Sequence, residues 1–166
     1  MTAQSATTSA RTFGFAIHNL LRLRRNLTPL FFSTFLPVFF YLLFGTMMDF
    51  GNASFKGGNF AALEMISMAL YGGVAGSVSA AGSAVTDTKT GWARQLALTP
   101  LHPRQLLWAN LISIGFQALL PITAVFITGA MTQAAMQPHQ WVLAIIACVL
   151  VSIPFGFYGF VWALAL

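Results

Sequence analysis

Apolar positions in this chain do not alternate with polar ones but fill long, unbroken runs. The first, Leu27 to Met48, contains no charged residue. At about 1.5 Å of rise per residue a helix of that length reaches roughly 33 Å, enough to cross a hydrocarbon core of about 30 Å. It is too long for the apolar core of a cleavable signal, and no small-residue cleavage site follows it. Three further runs, Met65 to Val85, Leu106 to Ala130 and Trp141 to Leu166, have the same character. The pattern predicts an all-α polytopic membrane protein with four transmembrane helices. Pro37 is expected to kink the first span. Pro121, Pro154, Gly156 and Gly159 are compatible with spans whose neighbours re-satisfy the backbone.

Between the runs the chain turns polar in distinct ways. Asp49 to Phe60 reads as a Gly- and Asn-rich turn region. Its Asn52-Ala53-Ser54 matches a glycosylation sequon, a pattern short enough to arise by chance. Met1 to Ala10 has no apolar period and is expected to be disordered. From Arg11 to Asn26, Phe13, Ile17, Leu20 and Leu21 recur at helical spacing, with Arg11, His18, Arg22 and Arg25 on the other side. That predicts an amphipathic helix lying in the membrane interface. The plainer alternative is a charged flank that only orients the next span; a transit peptide fits the first 26 residues but not the rest of the chain.

Composition agrees with the runs. Of 166 residues 57% are hydrophobic and only 7% charged, and mean hydropathy is +0.76. A water-soluble domain of this size needs more charge to cover its surface. The net charge of +5 does not imply nucleic acid, because the cations form no basic stripe with interleaved aromatics. They sort by topology instead. Arg11, Arg22, Arg24 and Arg25 precede the first span, and Lys89, Arg94 and Arg104 lie between the second and third. Lys56 alone lies between the first and second, and Met131 to Gln140 has none. The positive-inside rule places the N-terminus and the second connector in the cytoplasm, as expected of a multi-pass protein of the inner (plasma) membrane. Cys148, the single cysteine, lies within an apolar run and reads as a buried structural thiol.

The second span is rich in small residues. Gly72, Gly76, Ala80 and Ala84 fall four apart, as do Gly73, Ser77 and Ala81. Such spacing clears a groove for close helix approach, within one subunit or between two. Gly72, Gly76 and Ala80 are the expected packing positions.

The connector from residue 86 to 105 is longer than a turn requires. Thr90 is placed to cap a short helix opening near Gly91, and Pro100 ends it. Trp92 and Leu96 share one face of that helix, while Arg94 and Gln95 point elsewhere. The run "DTKTGWARQLALTPLHPRQLLWANLI" resembles the cytoplasmic signature of the ABC-2 type transporter permeases, particularly bacterial drug exporters. Gly91, Trp92, Arg94, Gln95, Leu96, Leu98, Thr99, Pro100 and Leu101 carry the likeness, and the order of elements extends it to essentially the whole chain. Two features depart from it. Many members have an acidic residue shortly before the glycine, where this chain has Lys89. Members are also typically longer, with six spans, so the chain is expected to correspond to their N-terminal two-thirds and to continue past Leu166.

The resemblance implies two regions: a tail and interfacial helix over 1–26, and an ABC-2 type transmembrane domain over 27–166. It implies a membrane subunit of an exporter for drug-like, lipid or other amphiphilic cargo. The implied partners are a cytoplasmic ABC-type ATPase, a second permease subunit and membrane lipid, with no nucleic acid and no cofactor. The ATPase would dock on the short helix through Gly91, Trp92, Arg94, Leu96 and Pro100. Against this, Trp92 reads equally well from periodicity alone as an interfacial aromatic.

No phosphate-binding G-x-x-x-x-G-K-[ST] can be drawn around Lys56 or Lys89. The three histidines are split between the two membrane faces, which disfavours a metal site, and no nucleophile has a base at recognisable spacing. The chain is therefore not expected to be an enzyme; any ATP hydrolysis belongs to a partner. Gln117 and Glu64 are the polar side chains placed to meet cargo. Their plainer readings are an interhelical hydrogen bond and a solvated interfacial carboxylate. The competing function is a non-transporting membrane scaffold or a remnant subunit.

Overall fold

The computed structural model describes residues 27–47, 51–55, 57–87 and 103–165. The expected interfacial helix (11–26) and the short connector helix opened by Gly91 lie outside the described residues. Four helices form one bundle: α1 (Leu27–Phe40), α2 (Phe60–Asp87), α3 (Pro103–Met131) and α4 (Pro138–Ala165). Four segments are long and apolar enough to cross a membrane: Thr28–Thr46, which runs from α1 into the turn that follows it, Phe60–Ser83 in α2, Leu111–Met131 in α3 and Pro138–Trp162 in α4. This is an all-α, multi-pass membrane protein. Trp108 at one end, and Trp162 beside Tyr158 at that same end of α4, stand well exposed, the position of an aromatic belt at a membrane interface.

The boundaries moved outward from those the runs imply. α3 and α4 begin at Pro103 and Pro138, where a missing amide hydrogen costs nothing because the first turn has no acceptor for it. α2 begins at Phe60 rather than Met65 because Asn59 caps it. Its Oδ1 accepts the Ala62 amide at 3.0 Å. The first span is not one α-helix. After Phe40 it passes into a π-helical turn over Tyr41–Thr46.

The turn region before α2 contains a small antiparallel hairpin, β1 (Ser54–Phe55) and β2 (Gly58–Asn59), with Ser54 opposite Asn59 and Phe55 opposite Gly58. Gly57 holds φ +96°, which a residue with a Cβ adopts only under strain. Asn59 then ties this hairpin to the α3–α4 loop. Its Oδ1 also accepts the Ala135 amide at 2.9 Å, its Nδ2 donates to the Gln133 carbonyl, and its own amide donates to Ala135 O at 3.2 Å. Gly58 bridges Met136. Asn59→Ala should therefore lower thermal stability in detergent by about 2 kcal/mol, since it removes a helix cap and strands a loop amide and carbonyl. Asn59→Asp, which keeps both accepting contacts, should lose less. Equal melting of wild type and Asn59→Ala would contradict this role.

α2 is the central helix and touches the other three. Most of the buried apolar residues fall into two separate clusters. Towards the hairpin end lie Tyr41, Met65, Ala69, Ile122, Val125, Phe126 and Cys148. Towards the connector end lie Ala80, Ala81, Val85, Ile114 and Phe160. The outward face of α1 carries Phe31, Phe35 and Phe39, about half exposed and stacked in sequence at 4.9 and 6.0 Å. In lipid such a face needs no protein cover.

Candidate functional site

Between the two clusters the bundle narrows to a waist of small and polar residues, and the proline positions explain its form. Pro37 and Pro121 have no amide hydrogen, so the carbonyls four residues earlier, Ser33 and Gln117, lose their helical donor. Both carbonyls lie against glycines of α2. A Cβ on Gly72 would sit 3.1 Å from Ser33 O and 2.9 Å from each of the Pro37 and Pro121 rings. One on Gly76 would sit 2.6 Å from Gln117 O. Two helices, each short of one backbone hydrogen bond at its proline, thus meet α2 where it has no side chains to keep them away. Backbone-to-backbone approach of this kind supplies contact in lipid, where no hydrophobic force drives helices together.

The other arm of the small-residue pattern meets α4. A Cβ on Gly73 would fall 2.5 Å from Ser152 Oγ, and one on Gly156 would fall 2.9 Å from Ser77 Cβ. The Ser77 hydroxyl lies 2.9 Å from the Val74 carbonyl and 3.0 Å from that of Ser152, so its hydrogen is shared between its own helix and α4. Ser152 Oγ donates to Cys148 O at 2.7 Å. Among the described residues no buried side-chain polar atom lacks a partner. Ala80 lies one turn further, buried in the connector-end cluster.

The two polar candidates are placed differently. Gln117 is nearly buried at the waist. Its side-chain nitrogen reaches Ser113 Oγ of its own helix at 3.4 Å, and the group that meets α2 is its backbone carbonyl. Glu64 is half-buried on the second turn of α2, at the hairpin end, far along the helix from Gly76. The structure does not bring these two together. Gly91, Trp92, Arg94, Leu96 and Pro100 lie outside the described residues. Among the described residues, no three His, Cys, Asp or Glu side chains gather as a metal site.

Pairings across the bundle are what sequence reasoning missed. Ser152 and Gly156 carry the same four-residue small spacing as the α2 stripe, a signal that was available. Tyr41 and Thr132 gave none; their hydroxyl oxygens are 2.6 Å apart although 91 positions separate them.

A protein of Bacillus subtilis (strain 168) named "Putative transport permease YvfS" is 25% identical over 142 residues, covering 84% of this chain and 57% of that protein. The chain is similar to a transport permease. It spans just over half the length of that relative. No protein-family model and no solved structure matches it.

Proposed function

We propose that this chain is a membrane-spanning subunit of an ATP-binding-cassette exporter of the ABC-2 type, moving a drug-like, lipid or other amphiphilic cargo out of the cytoplasm. The observation that carries this is the connector run Gly91 to Leu101, set between the second and third of four membrane-spanning helices in a chain similar to a transport permease. A permease has no use for a long connector that turns a chain around. It does have a use for a short helix that an ATPase can push.

In this reading residues 27–166 belong to the transmembrane domain and 1–26 form its tail and interfacial helix, in the inner (plasma) membrane with the N-terminus cytoplasmic. Trp92 and Leu96 fill a groove on a separate cytoplasmic ATPase, which performs all ATP hydrolysis, and Arg94 meets an acidic rim. Gly91 opens the short helix and Pro100 stiffens its exit. A second permease subunit completes the pathway, and Gln117 and Glu64 are the candidate polar contacts for cargo. The waist supports the mechanical side of the reading: force applied to the connector between α2 and α3 would reach the junction where α3 lacks a backbone hydrogen bond at Pro121 and its Gln117 carbonyl rests on Gly76.

Orientation tests the reading, since a connector outside the cell cannot meet a cytoplasmic ATPase. Single cysteines replacing Ser54 and Thr90, in a Cys148→Ala background, should label oppositely with a membrane-impermeant thiol reagent. In intact cells Ser54→Cys should react and Thr90→Cys should react only after the membrane is opened. Labelling of Thr90→Cys from outside would end the proposal.

A further inference from the structure

The first span changes character above the waist. Over Tyr41–Thr46 its backbone follows a π-helical turn: the Met47 amide donates to Leu42 O at 3.2 Å, five residues back, and Thr46 Oγ1 donates to that same carbonyl at 2.6 Å. Pi-turns inside α-helices are rare and mark places where a helix departs from its stable ladder. Immediately below lies the break at Pro37, whose freed Ser33 carbonyl rests on Gly72. The segment is thus bounded by an interrupted ladder on one side and the hairpin loop on the other.

One side-chain hydrogen bond ties it to the start of the α3–α4 loop. Tyr41 is fully buried, and its hydroxyl lies 2.6 Å from Thr132 Oγ1. The Thr132 hydroxyl donates to Thr128 O at 2.9 Å, so Tyr41 supplies the hydrogen between them. The ring has its place because position 45 has no side chain: a Cβ on Gly45 would come 2.8 Å from it. Beneath the ring is the hairpin-end cluster, which includes Cys148 at 2% exposure.

We infer that the Tyr41–Thr46 segment, which packs on α2, is a latched flap, hinged at Pro37 and held to the first residue of the α3–α4 loop by the Tyr41–Thr132 hydrogen bond, whose release opens the hairpin-end core without opening the connector-end core. The separation of the two clusters by the waist is what lets one half loosen alone. The inference does not rest on the exporter reading, and its failure would leave that reading untouched.

Cys148 reports the opening directly, being the chain's single cysteine. The measurement is its rate of reaction with N-ethylmaleimide in the purified protein. Tyr41→Phe keeps the ring and removes the hydroxyl; Thr132→Val keeps the shape and removes the acceptor. Each should raise the rate about three- to tenfold, the range expected from one net hydrogen bond. The double variant should be no faster than the faster single one, because both remove the same bond. Val85→Cys, in a Cys148→Ala background, places the reporter in the connector-end cluster, and Tyr41→Phe should not change its rate. An unchanged Cys148 rate, additive effects in the double variant, or equal acceleration of Val85→Cys would each overturn the latch.

Discussion

Gly76→Leu is expected to prevent assembly of the bundle, whereas Gly82→Leu, six residues further along the same helix, is expected to leave it intact. The two glycines differ in what stands before them. A Cβ on Gly76 would sit 2.6 Å from Gln117 O, a backbone atom that cannot rotate away; a Cβ on Gly82 would meet nothing within 4 Å. Overpacking a tight site commonly costs about 1–3 kcal/mol. Here the obstacle is backbone held by the Pro121 break, so at least the upper end, about 3 kcal/mol, is expected. Gly82→Leu should instead gain a little stability, since glycine is about 1 kcal/mol poorer than the best helix formers. The measurement is the yield of monodisperse protein in mild detergent together with its thermal unfolding. Equal behaviour of the two variants would mean that the waist is not a site of close approach.

The four spans were legible because a membrane helix must satisfy its own backbone and cover its length with apolar side chains, and both requirements act locally. The ends of the helices were less so. An apolar run ends where its composition changes, at Met65 for the second span, and a helix need not end there. Asn59 carries α2 one turn further by capping it and holding the α3–α4 loop. The stripe Gly72–Gly76 was legible as a surface, since its spacing is a property of one helix. Its partners were not, because nothing local distinguishes Pro37 or Pro121 from any other residue that could reach it. Tyr41 shows the limit most plainly. A tyrosine in an apolar run reads as one more aromatic until Thr132, just beyond the end of another helix, supplies its acceptor. The connector is read by resemblance alone, lies largely outside the described residues, and in the proposed reading meets a partner outside this chain.

That partner is the subject of the second large effect. If Trp92 is the aromatic anchor in an ATPase groove, Trp92→Ala should cost on the order of 2 kcal/mol or more of binding, as truncation of a buried interface aromatic commonly does. That corresponds to roughly a thirtyfold loss of affinity. Pro100→Ala should separate docking from transmission. It leaves the Trp92 and Leu96 face in place but loosens the exit of the short helix, so binding should persist while transport-coupled ATP hydrolysis falls. A Trp92 that served only as a membrane-interface residue would show neither pattern, since its loss would leave ATPase binding unchanged.

The most direct test is affinity purification of the tagged protein from membranes of its own cells, with its companions identified by mass spectrometry. The account predicts an ATP-binding-cassette ATPase in stoichiometric amount with the wild-type chain, and its depletion from the Trp92→Ala variant at equal membrane abundance. Recovery of the intact membrane protein without any such ATPase, or undiminished recovery of the ATPase with Trp92→Ala, would contradict it.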